Sequence, residues 1–275
     1  MSRTLVLGGG GVTGVAWELG VLEGLRRAGV DLAAADTVIG TSAGSVVGAR
    51  LVLGGLEQAY AGQLEPPTGE IAAKLGPTTM IRLAVLMARR GDEEAKFKRI
   101  GKAARAVKTE TTVAQRMAVI RARIGDPEWP EADLRITAID IDNGRLQVFD
   151  RASGVRLLEA VAASCAVPLV WPPVTIGATT YVDGGARSPV NADLATGADV
   201  VIAIAPIRDG LVKEHHLDKQ LERTGAPRTT VVAPDHEATA AMGSNSLDPA
   251  YRAASAVAGL RQGALVAEQV GEVWG

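Results

Sequence analysis

The sequence predicts an α/β fold with a mostly parallel central sheet sandwiched by helices. Strand and helix signals alternate through both ends of the chain, which is typical of sheets built from strands and crossover helices. Two of the predicted strands run directly into glycine-containing turns that open helices, at residues 8–14 and 40–44. The composition is globular, with 47% hydrophobic residues and a net charge of −2. We expect one domain over residues 1–275, with a helical insertion at about 65–130.

Apolar runs and turn signals define the elements in chain order. An apolar strand at 4–7 precedes a helix whose hydrophobic residues recur at helical spacing as far as Leu25, with Gly29 placed to end it. Asp142-Asn143-Gly144 stands between two apolar runs and predicts a hairpin. The other predicted elements are strands at 36–39, 135–141, 146–149, 180–182, 200–204 and 229–232, and helices at 157–166 and 254–273.

The segment Ile39-Gly40-Thr41-Ser42-Ala43-Gly44-Ser45 carries the strongest functional signal. Its Gly-x-Ser-x-Gly spacing, between a strand end and a helix start, is that of a nucleophile elbow. A serine on such a sharp turn projects its hydroxyl from the end of the sheet, where the free N–H groups of the following helix can stabilise an oxyanion. Taken alone, these residues also fit an ordinary tight strand–helix connection.

The glycines at 8–14 follow the first predicted strand. Gly9-Gly10-Gly11-Val12-Thr13-Gly14 fits the dinucleotide-binding pattern G-x-G-x-x-G, but that site needs an acidic residue at the end of the second strand. The second strand ends in Ser42 instead. We therefore interpret the glycines as a source of bare backbone N–H groups that face Ser42, and we expect neither a cofactor nor a metal.

Four blocks together resemble the patatin-like phospholipases, which are lipid acyl hydrolases. They are Gly9-Gly10-Gly11-x-x-Gly14, Gly40-x-Ser42-x-Gly44, Ala163-Ser164-x-x-x-Pro168 and Asp183-Gly184-Gly185, in that order. The resemblance implies a Ser–Asp dyad without histidine, in which Ser42 is the nucleophile and Asp183 the base. It also implies an oxyanion hole formed by the N–H groups of Gly9, Gly10 and Gly11, with Ala43 as a further donor.

Two positions depart from the pattern of that family. A basic residue usually precedes the last glycine of the first block, and here that residue is Thr13. An Asn-x-Pro element usually follows Asp-Gly-Gly, whereas this chain has Pro189 before Asn191. The first departure removes a positive charge near the anion site. It bears on rate and substrate charge more than on the type of reaction.

A triad is the alternative mechanism. The order Ser42, Asp183, His236 is that of α/β-hydrolases, although order alone is a weak criterion. His236 also fits an ordinary solvated position at a helix start, and the stretch from Lys213 to Arg223 with its two histidines fits an exposed helix face. Asp183 suits a general base because a carboxylate shielded from water gains basicity. We expect Ser164 and Cys165 to be helix-packing residues.

Residues 74–123 differ in charge from the rest of the chain. They hold 13 Lys and Arg against 4 Asp and Glu, a local net charge of +9. One interpretation is a lid or interfacial face that contacts anionic membrane lipid, and the other is a solvated cap over the core. Nucleic acid is not an expected partner, since only 3% of residues are aromatic and no groove-reading motif occurs.

The sequence therefore predicts a serine acyl hydrolase acting on lipid or phospholipid esters through an acyl-enzyme. A carboxylesterase or thioesterase for small acyl groups, and a non-catalytic lipid-binding relative, remain alternatives. One cysteine, no predicted signal peptide and no apolar run of spanning length indicate a cytoplasmic protein that associates at most peripherally with membranes. The bias towards Ala, Gly, Val and Arg indicates a bacterial source.

Overall fold

The computed structural model describes residues 1–275 and contains one mixed sheet of eight strands. The strands are β1 (Arg3–Leu7), β2 (Thr37–Thr41), β3 (Asp133–Asp140), β4 (Arg145–Phe149), β5 (Val174–Ile176), β6 (Thr179–Asp183), β7 (Val200–Ile204) and β8 (Arg228–Val232). Their order is β5-β6-β3-β2-β1-β7-β8, and β4 also pairs with β3. Strands β3, β2, β1, β7 and β8 are mutually parallel, whereas β4, β5 and β6 pair antiparallel. The predicted strands and the hairpin at 142–144 are confirmed.

Helices cover both faces of this sheet. They are α1 (Gly11–Arg27), α2 (Ala43–Val52), α3 (Leu56–Leu64), α4 (Pro77–Ala88), α5 (Glu93–Ala106), α6 (Val113–Ile124), α7 (Leu157–Ser164), α8 (Leu217–Thr224), α9 (His236–Met242), α10 (Arg252–Leu265) and α11 (Ala267–Trp274). The predicted α/β class is confirmed. Helices α4, α5 and α6 lie within residues 65–130, the range predicted for the helical insertion.

Side chains of the central strands point alternately to the two faces of the sheet and so contribute to two separate cores. In β1, Leu5 and Leu7 pack into the larger core, and Val6 packs into a smaller core on the opposite face. All three side chains are fully buried. Successive residues of a strand point to opposite faces, so a strand buried on both sides must be apolar throughout. This is why the central strands read as continuous hydrophobic runs.

The closing helix predicted at 254–273 is two helices, and this prediction was wrong. The helix is interrupted at Val266, whose φ of −94° and ψ of 3° end α10, and α11 begins at the next residue. Helix α10 packs along α1, whereas α11 packs on β7 and β8, so the direction of the chain must change between them. Glycines allow the close contact of α1 with α10: a Cβ at Gly20 would lie 2.2 Å from the Ala256 carbonyl oxygen.

The pairing of β3 decides where the chain after β2 meets the end of β6. Strand β3 runs parallel to β2 as far as the pair Thr41–Thr137 and then continues beyond it. Strand β6 pairs antiparallel with only this extension, and its last residue, Asp183, lies opposite Ala138. Asp183 therefore ends at the level of the residue that follows Thr41. The carboxyl end of the antiparallel strand β6 thus lies at the same edge of the sheet as the carboxyl ends of the parallel strands.

Candidate active site

Ser42 sits on a strained turn between β2 and α2. Its φ of 53° is positive, an uncommon conformation for a non-glycine residue that costs on the order of 1–3 kcal/mol. Only 8% of its surface is exposed. A Cβ at Gly44 would lie 2.1 Å from the Leu7 carbonyl oxygen, so the glycine after the serine lets α2 pack against β1. These are the features of a nucleophile elbow.

Two residues at the end of α7 hold the backbone of Ser42. The Ser42 N–H donates to Ser164 Oγ at 2.8 Å, and Cys165 Sγ donates to the Ser42 carbonyl oxygen at 3.3 Å. The expectation that these residues serve helix packing alone therefore misses a positioning contact. Burial raises the pKa of Cys165 to about 11, so this side chain stays a protonated thiol at neutral pH. The Ala163-Ser164 block of the resemblance was the available signal.

Asp183 is a buried carboxyl with a raised pKa. It is 3% exposed and accepts a hydrogen bond from the Gly185 N–H at 2.7 Å. Desolvation raises its pKa to about 7, while the Ser42 hydroxyl, the Gly185 N–H and the charge of Arg116 all act to lower it. The Ser42 hydroxyl and the Asp183 carboxyl do not meet the distance and angle of a normal hydrogen bond, and catalytic hydrogen bonds commonly tighten only when substrate binds.

Gly9 and Gly10, the last two residues before α1, differ in what their N–H groups do. We expected a free N–H at Gly9, but it donates to the Pro189 carbonyl oxygen at 2.7 Å and is engaged within the protein. The Gly10 N–H has no backbone partner. Thr13, at the position where the patatin-like pattern usually has a basic residue, is fully buried and its hydroxyl has no hydrogen-bond partner. That position therefore supplies no charge.

A cavity of about 280 Å³ brings most of the predicted site residues together. Gly9, Gly10, Gly11, Ser42 and Asp183 all line it. The rest of its wall is largely apolar and comes from the insertion and from later loops: Leu75, Met80, Leu83, Met87, Ile100, Val167, Ile207, Leu211 and Leu247. Ala43 does not line this cavity. It lines an adjoining cavity of about 20 Å³, which also includes Gly11 and Ser42.

The three histidines lie outside this cavity. His236 is exposed on the first turn of α9, after the N-cap residue Asp235, which removes support for a triad. His215 is 8% exposed and its Nε2 bonds Glu93 of α5, so the expectation of an exposed helix face was wrong there. The cause is tertiary packing of α5 against this stretch. This bond holds the pKa of Glu93 below its usual value.

The basic insertion is only partly a free charged surface. Arg123 donates to both carboxylate oxygens of Glu70, at 2.6 and 3.2 Å, and Arg99 donates to the backbone carbonyls of Arg89 and Arg90. Helix α4 exposes apolar residues instead, and Ile81 is 64% exposed. The segment therefore combines internal ion pairs with an apolar outer face.

Two further features bear on what the site can hold. No group of three or more His, Cys, Asp and Glu side chains is arranged to bind a metal ion. None of the eleven helices has both the length and the apolar character needed to cross a bilayer.

Comparison with known proteins identifies the family. No curated protein matches the chain. Among solved structures, VipD from Legionella pneumophila is similar at 10% identity and a TM-score of 0.47, over 98% of this chain and 66% of that one. The type III effector protein ExoU is similar at 14% identity and a TM-score of 0.36, over 98% of this chain and 53% of that one. The chain thus spans less than two thirds of the length of either. The sequence model of the patatin-like phospholipases matches residues 5–196, and the chain belongs to that family.

Proposed function

We propose that the protein is a serine acyl hydrolase that cleaves ester bonds of lipids or phospholipids. Ser42 is the nucleophile and Asp183 the general base. One observation carries the proposal: a strained serine and a buried carboxyl of raised pKa open into the same cavity, whose remaining wall is largely apolar. Apolar pockets with a few convergent polar groups are typical of ligand sites.

The reaction proceeds through an acyl-enzyme. Ser42 Oγ attacks the ester carbonyl carbon, and its proton passes to Asp183 as the carbonyl oxygen becomes an oxyanion. Collapse of the tetrahedral intermediate expels the alcohol, which takes the proton from Asp183. Water then attacks the acyl-enzyme by the same route and releases the fatty acid. A base with a pKa of about 7 suits both directions of this transfer near neutral pH.

The oxyanion site draws on the two helix starts beside Ser42. The Gly10 N–H lacks a backbone partner, and Gly11 and Ala43 begin α1 and α2, where helical N–H groups have no partner within the helix. The Gly9 N–H is engaged with the Pro189 carbonyl oxygen, so we assign it a structural role in holding the loop before α1.

The shape of the cavity favours a lipid over a small acyl ester. An aliphatic chain gains about 0.8 kcal/mol for each buried CH₂, and the apolar side chains of α4 provide the surface for it. We also propose that α4 touches the membrane, since its exposed Ile81 lies one residue from the cavity-lining Met80. The carboxylesterase alternative predicts no dependence on chain length.

Labelling with a fluorophosphonate tests the nucleophile directly. Wild-type protein should gain one adduct by intact mass, mapped to Ser42, and should hydrolyse nitrophenyl esters faster as the acyl chain lengthens from two to about eight carbons. Ser42→Ala should lose both the adduct and turnover. Ser255→Ala is the matched control, because Ser255 is a fully buried serine on α10. An unlabelled wild type, or near-normal turnover in Ser42→Ala, overturns the proposal.

A further inference from the structure

Arg116 is a largely buried cation that forms no salt bridge, and the carboxyls of Glu70 and Asp183 act on it only from farther away. It lies on α6, is 7% exposed, and stacks its guanidinium on Trp171 at 4.0 Å from the ring centroid. Its side chain forms no hydrogen bond or salt bridge with any other residue. Burial lowers the pKa of Arg116 only to about 10, so the group is charged at neutral pH. A buried charge left unpaired is costly, and proteins normally supply a partner.

Two other arginines of low exposure in this region do have partners. Arg123, on the same helix, forms a bidentate pair with Glu70. Arg252 is 8% exposed and donates to the Gln63 side chain at 3.1 Å and to the Gly62 carbonyl oxygen at 2.7 Å. The positive charge of Arg116 is therefore the exception, and its guanidinium remains available to a ligand.

The position of Arg116 indicates which ligand atom it meets. It lines the cavity of about 20 Å³ together with Gly11, Ser42 and Ala43. These are the residue that starts α1, the nucleophile, and the residue that starts α2. A cavity of roughly 10–15 Å³ measured this way holds one water molecule, so this one holds about one oxygen atom. It adjoins the apolar cavity, with which it shares Gly11, Ser42, Val167 and Leu247.

We propose that Arg116 is the cationic donor of the oxyanion site, contacting the oxygen that becomes negative when Ser42 attacks. This inference rests on the proposed function. As the Oγ–carbon bond forms, the π electron pair of the carbonyl moves to its oxygen, and the Ser42 proton goes to Asp183. The guanidinium donates hydrogen bonds to that oxygen and keeps all its protons. When the carbonyl reforms, the charge disappears and the contact weakens, so the interaction favours the transition state over the ground state.

The competing ligand is a fixed anionic group of the substrate, such as a phosphate or carboxylate. Two observations favour the oxyanion. The cavity accommodates about one oxygen, which is too little for a phosphate group, and it is bounded by the residues that start both helices. An anionic headgroup would instead need an opening beside Arg116 with room for several oxygens. A matched pair of substrates separates the two ligands.

The test compares Arg116→Met, Arg116→Lys and the control Arg252→Met on two nitrophenyl esters of equal chain length, one neutral and one ending in a carboxylate. An oxyanion donor predicts that Arg116→Met lowers kcat about 100-fold to 1,000-fold on both esters, with KM within about threefold. Arg116→Lys keeps the charge and should recover part of the loss. Arg252→Met should stay within about threefold of wild type, since that guanidinium is satisfied elsewhere.

A second measurement is the rate of fluorophosphonate labelling of Ser42, which needs no turnover. It should fall in Arg116→Met in proportion to kcat, while circular dichroism and the melting temperature report folding. Where Arg116→Met does not fold, Arg116→Lys carries the test. Loss confined to KM of the anionic ester, or wild-type rates in a folded variant, overturns the inference and leaves the proposed function intact. Wild-type protein that neither turns over nor labels at Ser42 overturns both.

Discussion

Asn191 joins the two halves of the candidate dyad through one side-chain amide. Its Nδ2 donates to Thr41 Oγ1 at 3.1 Å and to the Gly184 carbonyl oxygen at 3.4 Å. Thr41 precedes Ser42, and Gly184 follows Asp183. The amide is fully buried and holds the distance between the nucleophile turn and the base turn.

Loss of this amide should reduce turnover without removing either reacting group. Asn191 has a left-handed φ of 54°, so Asn191→Gly removes the side chain while keeping a backbone that tolerates this conformation. We expect kcat to fall about 10-fold to 100-fold with KM nearly unchanged, because displacements of about 1 Å cost up to 100-fold. Steady-state kinetics with a nitrophenyl ester measures both constants. Wild-type kcat in the folded variant would show that the bridge has no catalytic effect.

Substitution of Asp183 should separate the dyad from a triad. Asp183→Asn should lower turnover by about 100-fold to 10,000-fold, since it removes the general base. His236→Ala should stay within about tenfold, because His236 is exposed on α9 and does not line the cavity. The same esterase assay applies to both variants. Equal losses of turnover in the two variants would indicate a Ser–Asp–His triad instead of a dyad.

The pH profile should report the raised pKa of Asp183. A base works in its deprotonated form, so kcat/KM for a neutral ester should be lost as the pH falls through about 7, the pKa of this carboxyl. The charge of Arg116 lowers that pKa, and Arg116→Met should therefore move the acidic limb to higher pH. Activity that persists unchanged down to pH 5 would exclude Asp183 as the titrating base.

The elements that carry local patterns could be predicted from the sequence. Continuous apolar runs identify the central strands, and the Gly-x-Ser-x-Gly spacing identifies the turn at Ser42, because both depend on residues adjacent in the chain. The placement of Asp183 beside this turn could not be predicted. It depends on β3 extending past β2, which is a matter of strand register that no local pattern encodes.

Side-chain contacts between distant residues were also beyond prediction. The bond from the Ser42 N–H to Ser164 Oγ spans 122 residues, and apart from the Ala163-Ser164 block of the resemblance no sequence pattern marks Ser164. Arg116 was one of 13 basic residues in its segment. Only the fold shows that it is buried and unpaired while Arg123 is matched by Glu70. Burial and pairing are tertiary properties that composition does not contain.

Stability should depend on pH through Glu18, a fully buried carboxyl on α1 whose two oxygens have no hydrogen-bond partner. Burial raises its pKa well above 4.5. The nearby Gly8 N–H, which donates to the Ile204 carbonyl oxygen, lowers the pKa only in part. The unfolded chain loses this proton at lower pH than the folded chain, so stability falls as the pH rises above 4.5. Glu18→Gln cannot ionise and should melt at a higher temperature at pH 8, by about 2–4 °C for each kcal/mol gained.

Glu23 on the same helix provides a control of opposite sign. Its side chain is fully buried but paired with Arg26 and Arg27, which hold its pKa below 4.5. That stabilisation is present above pH 4.5 and is lost as the pH falls, so Glu23→Gln should destabilise the protein most at neutral pH. Calorimetry at pH 5 and pH 8 measures both variants. A Glu18→Gln protein that melts below wild type at pH 8 would contradict the assignment of a neutral buried carboxyl.

Membrane binding should depend on the outer face of α4. Ile81 and Val85 are 64% and 56% exposed there, and the exposed Arg82, Arg89 and Arg90 lie on or just beyond the same helix. Insertion of apolar side chains favours binding to any membrane. Basic residues favour binding to an anionic surface, each by about 1 kcal/mol. Replacing the three arginines with Gln should therefore weaken binding to anionic vesicles well over tenfold at low salt.

A second variant, with two substitutions, isolates the apolar contribution to membrane binding. Ile81→Gln with Val85→Gln should weaken binding to anionic and zwitterionic vesicles alike, whereas the loss from the arginine variant should shrink as salt screens the charges. Val257→Gln with Leu265→Gln is the control, because those side chains are 54% and 69% exposed on α10. Hydrolysis of a soluble short-chain ester should change little in all three variants, since none of these side chains lines the cavity with Ser42. Sedimentation that finds no lipid-charge preference, or equal binding by the arginine variant and wild type, would make the insertion a solvated cap.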